Sequence, residues 1–182
     1  MKIIVDPGHS GPVEPGACAG GVYECNVVMD IAKLLAEQLY EQGYEVLLTR
    51  NGAIETDDLN FRAELANTKQ ADLFVSIHAN STVNTAARGT ETYYYPGSAP
   101  GKRLAGLIQA KLVTELDTVD LGIREANFQV LRETACPAVL VEVAFISNEA
   151  DRQVLTEYAW QLGAALAIAE AIDTYFAQQE LF

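Results

Sequence analysis

The strongest constraint on this 182-residue chain is a set of three short apolar runs, each interrupted by a residue that can ligate a metal or carry a proton. Leu73 to Asn80 reads LFVSIHAN, with His78 near its end. Ile3, Ile4 and Val5 are followed at once by Asp6, Pro7, Gly8 and His9, and the run Val139 to Val143 carries Glu142. Such runs are too short for helices and apolar enough for buried strands. The chain has only two histidines, and both stand where one of these strands would stop. Open α/β sheets bind ligands beyond the carboxyl ends of their strands. His9, His78 and Glu142 are therefore expected to meet in one site, with the rest of the chain as scaffold.

Between these runs the apolar spacing becomes helical. Val27, Val28, Ile31, Leu34, Leu35 and Leu39 predict a helix over 24–42, stopped by Gly43. Val46 to Leu48 reads as a strand, followed by a polar loop and a helix over 58–69 with Phe61, Leu65 and Ala66 facing inward. Thr90 to Tyr95 alternates as a strand. Ser98 is placed to cap a helix whose stripe is Leu104, Leu107, Ile108 and Leu112. Residues 117–127 read as irregular, and Phe128 to Leu131 and Ala138 to Val143 as the last strands. A short helix over 151–155 precedes a final one over 156–178 that buries Leu162, Leu166, Ala169, Ile172 and Phe176. Strands alternate with helices, with no repeat or linker, so the expectation is one α/β domain over 1–182 with a mainly parallel sheet.

The formal net charge of −13 argues against binding nucleic acid or anionic membrane surfaces, which reward basic patches. No apolar run approaches the ~20 residues of a membrane span. The first apolar stretch stops at Asp6, too early for a signal peptide. The three cysteines, Cys18, Cys25 and Cys136, are odd in number and lack CxxC spacing, so neither a disulfide framework nor a thiolate zinc knuckle is expected. They read as small, at least partly buried thiols. Cys18 and Cys25 flank Glu24. The Gly- and Pro-rich stretch over 8–21 contains no GxGxxG and is not a dinucleotide fingerprint.

A single histidine is more often structural than ligating, but two lone histidines at converging strand ends point to a metal. A carboxylate in a buried strand costs several kcal/mol without a partner, so Glu142 needs an arginine, a metal or a proton-transfer role. Glu24 opens the first helix, where acids are favoured in any case. Residue chemistry alone leaves open which glutamate binds metal and which moves protons. Two imidazoles, a carboxylate and an open position describe catalytic zinc and equally non-haem iron. Zinc with a second carboxylate nearby suits amide hydrolysis.

In order along the chain come Val5-Asp6-Pro7-Gly8-His9, Pro15-Gly16-Ala17 leading to Glu24, Leu48-Thr49-Arg50, and Arg62 with Ala66-Asn67. Then follow Ser76-Ile77-His78-Ala79-Asn80, Pro137 to Glu142, and Phe145-Ile146-Ser147-Asn148. This ordered set resembles the zinc-dependent N-acetylmuramoyl-L-alanine amidases of bacterial wall hydrolases and phage endolysins. Each piece is weak alone; together they span nearly the whole chain.

The resemblance implies zinc (Zn2+) held by His9, Glu24 and His78, with Glu142 as the catalytic carboxylate; Asn80 and Arg124 are expected as substrate contacts. It implies a twisted, mostly parallel sheet with helices on both faces. The substrate would be peptidoglycan, cut between the lactyl group of muramic acid and the first L-alanine of the stem peptide. A monomer is expected, acting at the wall after release by lysis or after trimming from a secreted precursor. A non-catalytic wall-binding module and a zinc peptidase or deacetylase are the alternatives; a binding module needs no general base. Where the family usually has Gly before Phe-Ile-Ser-Asn, this chain has Ala144, which would be strained if the position required a positive φ. Some relatives insert a long helix after the SIHAN strand. Here only nine residues, Ser81 to Gly89, lie before the next strand, too few for even a marginal isolated helix. An open site is therefore expected.

Overall fold

A computed structural model describes residues 1–52 and 58–178, so most of the polar loop expected after Arg50 lies outside the described residues. The elements in order are β1 (Lys2–Pro7), β2 (Cys18–Ala19), β3 (Val22–Tyr23), α1 (Glu24–Glu41), β4 (Glu45–Leu48), α2 (Leu59–Thr68) and β5 (Leu73–Asn80). There follow β6 (Thr90–Tyr94), α3 (Ala99–Leu116), β7 (Asp120–Glu125), α4 (Gln129–Glu133), β8 (Ala138–Phe145), α5 (Glu149–Leu155) and α6 (Tyr158–Ala177). Six strands form one sheet in the order β4-β1-β5-β8-β6-β7. All neighbours are parallel except β6 and β8. The three runs that anchored the sequence reading are thus adjacent: β1, β5 and β8 form the centre of the sheet.

Strand parity sorts the core into two layers. Ile3, Val5, Leu73, Val75, Ile77, Val139, Val141 and Val143 face the larger cluster, packed with α1, α3 and α6. Ile4, Phe74, Ala138 and Leu140 face a smaller cluster with Ala66 of α2 and Val130 and Leu131 of α4. A strand covered on both faces must be apolar at nearly every position, which is why these runs do not alternate. On the second face the apolar set gives way to polar residues of the same parity: Asp6, Ser76, His78 and Glu142.

The helix signals mostly hold. Ser98 accepts from Gly101 N at 3.1 Å and caps α3. Asp58 accepts from Asn60 N and Phe61 N and caps α2. Asn148, in the Phe-Ile-Ser-Asn piece, caps α5 by accepting from Ala150 N and Asp151 N. Ala144 is buried within β8 and is not among the positive-φ residues, which outside glycine are His9, Gln70 and Asp117 among the described residues. Its Cβ therefore strains nothing in the backbone.

Four expectations need correction. Residues 117–127 are not irregular, because 120–125 form the edge strand β7, which pairs only with β6. Phe128 to Leu131 is not a strand; its end belongs to α4, which buries both Val130 and Leu131 against the sheet. In α2 the inward residues are Arg62, Ala63 and Ala66, while Phe61 is exposed, because the helix turns its buried arginine toward Asp6. Leu166 of α6 is also exposed, and the small residues Ala164, Ala165, Ala167 and Ala171 take the interior instead. The hairpin β2–β3 begins at the end of the Gly- and Pro-rich stretch and runs just past it, where the sequence gives no strand signal.

Candidate metal centre

The loop that ends β1 delivers His9 to the site, and two buried arginines hold it. Arg50 Nε donates to the Pro7 carbonyl at 3.0 Å, and its Nη2 to the Gly8 and Cys25 carbonyls at 2.7 and 2.9 Å. Arg62 donates to the Pro7 and His9 carbonyls at 2.9 and 2.6 Å and pairs with Asp6. Asp6 also accepts from Thr49 Oγ1 and Ser76 Oγ, both at 2.6 Å. The loop needs this grip because His9 has φ 64°, a left-handed conformation that a non-glycine residue adopts only when its surroundings impose it.

Glu24 is the first residue of α1 and is buried. Its Oε2 accepts from Ala17 N at 2.9 Å and its Oε1 from Ala79 N at 3.0 Å, so the backbone of two separate segments orients the carboxylate. His9 Nε2 lies 2.9 Å from Oε2 and His78 Nδ1 lies 3.0 Å from Oε1. The two imidazole rings stand edge to face with centroids 5.0 Å apart. His9, Glu24 and His78 each offer one ligand atom, and these atoms lie within 4.8 Å of one another.

The donor set fits a divalent cation: two nitrogens and a carboxylate oxygen converge, and the backbone around them is kept bare. A side chain at Gly8 would overlap the His78 ring, and a Cβ at Gly16 would come within 2.5 Å of His9 Nε2 and 2.6 Å of Glu24 Oε2. Gly16 also has φ 72°. These glycines leave room for the imidazoles, which explains the Pro-Gly-Ala and Pro-Gly-His pieces physically.

The two histidines and Glu24 also shift one another's pKa values. Burial works against charge on His9, but the Glu24 and Glu14 carboxylates outweigh it and raise the pKa to about 9. Burial likewise opposes charge on Glu24, yet the hydrogen bonds from His78 and His9 hold it well below the usual carboxylate range. His78 is raised as well, by Glu24 and Glu142 against the effect of burial.

Glu142 is the in-register partner of His78 on the neighbouring strand. Its Oε2 is shut off from solvent with no hydrogen-bond partner among the described residues. Burial first, then the Glu24 and Glu91 carboxylates, push its pKa up to about 7, against the pull of His78 and His9. A buried oxygen left unpaired costs on the order of 1–3 kcal/mol and persists where function requires it. Arg124 Nε pairs with Glu91 Oε2 at 2.8 Å.

Glu91, which the sequence reading missed, organises the other flank. It is buried, pairs across the sheet with Glu142, and its Oε1 accepts from Asn80 Nδ2 at 2.6 Å and Tyr93 Oη at 2.7 Å. Asn80 and Arg124, expected as substrate contacts, are thus brought together by one carboxylate. The only signal for Glu91 was a charge inside the alternating run Thr90 to Tyr94. A cleft of about 260 Å³ opens between the His9, His78 and Glu142 cluster and the first turns of α2 and α4. His9, His78, Ser76 and Glu142 line one side of it, and Leu59, Phe128 and Gln129 the other.

Ser81 to Gly89 forms no helix and is tied away from the cleft. Thr82 N donates to Ser147 Oγ, Asn148 Nδ2 to the Thr85 carbonyl, and Gly89 N to Asp151. The three cysteines are free, with Cys18 exposed and Cys25 buried.

Residues 3–174 match the family described as N-acetylmuramoyl-L-alanine amidase. The N-acetylmuramoyl-L-alanine amidase LytC of Bacillus subtilis is 39% identical over 176 residues, covering 96% of this chain and 35% of LytC. The uncharacterized protein YqiI of the same bacterium is 38% identical over 183 residues, covering 97% of this chain and 85% of YqiI. The chain therefore spans most of YqiI but only about a third of LytC. The crystal structure of an N-acetylmuramoyl-L-alanine amidase from Clostridium difficile 630 matches with a TM-score of 0.92 at 34% identity, covering 97% of this chain and 96% of that one. Agreement in sequence and in fold over nearly the whole length makes this chain a member of the N-acetylmuramoyl-L-alanine amidase family.

Proposed function

We propose that this chain is a zinc-dependent hydrolase of peptidoglycan that cuts the amide between the lactyl group of N-acetylmuramic acid and the L-alanine of the stem peptide. His9, Glu24 and His78 would hold the zinc. Zinc held there would supply the chemistry of lowering the pKa of water to about 7 and stabilising negative charge on the carbonyl oxygen. Glu142 accepts the proton of the attacking water and delivers it to the departing alanine nitrogen. Its partnerless buried oxygen, one strand from His78, is the observation that carries this reading, since a binding module has no use for a carboxylate held at such a cost.

Asn80 and Arg124, joined through Glu91, contact the substrate in this reading. Arg124 is ion-paired with Glu91 there and keeps a half-exposed side chain. The site of action is the cell wall, in keeping with the wall hydrolases named among the relatives, and no helix among the described residues is long and apolar enough to cross a membrane.

Mass analysis of muropeptides after digestion of purified wall tests the reading. New free stem peptides are expected. Shortened stems or lost acetyl groups would mean another amide is cut, and an unchanged digest with zinc-loaded chain would mean a binding module.

A further inference from the structure

Glu14 lies in the loop after His9, with no periodic or motif signal to single it out. Its Oε2 sits 2.6 Å from His9 Nδ1, while the other ring nitrogen, Nε2, faces Glu24. The two nitrogens lie on opposite flanks of the imidazole, so Glu14 cannot share an ion with Nε2. A carboxylate can only accept here, so the Nδ1 proton must stay on the ring and the Nε2 lone pair is the one left for a metal. Turning the ring over would put carbon atoms against both carboxylates and lose both contacts. The backbone supports the same arrangement: Ser10 N donates to the Glu14 carbonyl at 3.1 Å, closing the loop so that Glu14 returns to the histidine. Arg62 holds the His9 carbonyl while the residue sits at φ 64°.

We propose that Glu14 is a positioning residue for the metal centre, which selects the tautomer and ring orientation of His9 by accepting its Nδ1–H. The inference rests on the zinc reading above. It concerns a residue that contacts neither substrate nor ion. Carboxylates that brace ligating histidines in this way typically contribute 10- to 100-fold in metal affinity.

The test is zinc affinity, measured by chelator competition on the wild-type chain, Glu14→Ala and Glu14→Gln. Metal-free circular dichroism serves as the control for folding. Glu14→Ala is expected to bind zinc about 10- to 100-fold more weakly. Glu14→Gln, whose amide oxygen still accepts a hydrogen bond, is expected to lie between it and the wild type. Nitrogen-15 spectra of the zinc-loaded wild type should show His9 protonated at Nδ1. If Glu14→Ala fails to fold, Glu14→Gln and the tautomer spectrum decide the matter. Wild-type affinity in both variants, or a proton on Nε2, would overturn the role of Glu14 and leave the zinc reading standing. A wild-type chain that binds no zinc would overturn that reading and this inference with it.

Discussion

His78 and Glu142 are Cα partners on the adjacent parallel strands β5 and β8, and the register slips directly after them, so that Asn80 stands opposite Phe145. Backbone register therefore sets the spacing between the imidazole proposed as a metal ligand and the carboxylate proposed to move protons. An irregularity of this kind re-aims the side chains around it. Neither residue depends on a loop for its place, which favours a site held at constant geometry.

That register predicts separable roles for the two glutamates. Glu142→Gln should keep its zinc and lose turnover by roughly 10²- to 10⁴-fold, because only the proton carrier is gone. Glu24→Ala should lose both metal and activity, since it removes a ligand that bridges both histidines. Metal content and rate on the two proteins check this, and the reverse pattern would mean the assignments are exchanged.

Protonation should compete with the metal. His9 titrates near 9 in the metal-free fold but near 6.5 when unperturbed. Its contribution to metal-free stability is complete below about 6.5 and is lost as pH rises through about 9. Glu24 has the opposite sign: its folded pKa is depressed, so its contribution is present above about 4.5 and is lost in acid. The chelated protein should therefore unfold more readily at both extremes. Zinc must displace protons from the histidines, so its affinity should climb with pH toward about 9, and activity should fall in acid. Thermal unfolding after chelation and zinc titrations across that window measure both effects. A zinc affinity that does not change with pH would contradict them.

Arg62 should matter for stability more than its place on a short helix suggests. It is fully buried, pairs with Asp6 and holds the carbonyls of Pro7 and His9. Removing one member of a buried ion pair typically costs 3–5 kcal/mol. Arg62→Met should destabilise the chain by roughly that amount in urea unfolding, and zinc affinity should fall as the His9 loop loosens. A change below about 1 kcal/mol would show that water or a neighbouring group replaces the guanidinium.

No helix covers the cleft from Ser81 to Gly89, and three hydrogen bonds tie that segment to Ser147, Asn148 and Asp151. The isolated, zinc-loaded chain should hydrolyse purified peptidoglycan with nothing else added. Turnover that appears only after a partner protein is supplied would place control in an element other than this segment.

The sequence by itself determined the central strands, because β1, β5 and β8 are covered on both faces and must be apolar almost throughout. Against that background Asp6, Ser76, His78 and Glu142 stand out, and all four line the cleft. The caps Asp58, Ser98 and Asn148 were equally legible in principle, since each acts within its own helix turn. Other features depend on partners distant in the chain. Residues 120–125 become a strand only because β6 offers an edge, and Val130 and Leu131 become helical because both must reach the same small core. Glu91 acquires its place from an antiparallel register with β8, and Glu14 from a loop folded back onto His9. From residue chemistry alone either glutamate, Glu24 or Glu142, could serve as ligand. The tertiary structure sets them in different surroundings: backbone N–H groups from Ala17 and Ala79 draw Glu24 between both histidines, while burial leaves Glu142 beside them with an oxygen that has no partner among the described residues, and the proposed division of roles rests on that difference.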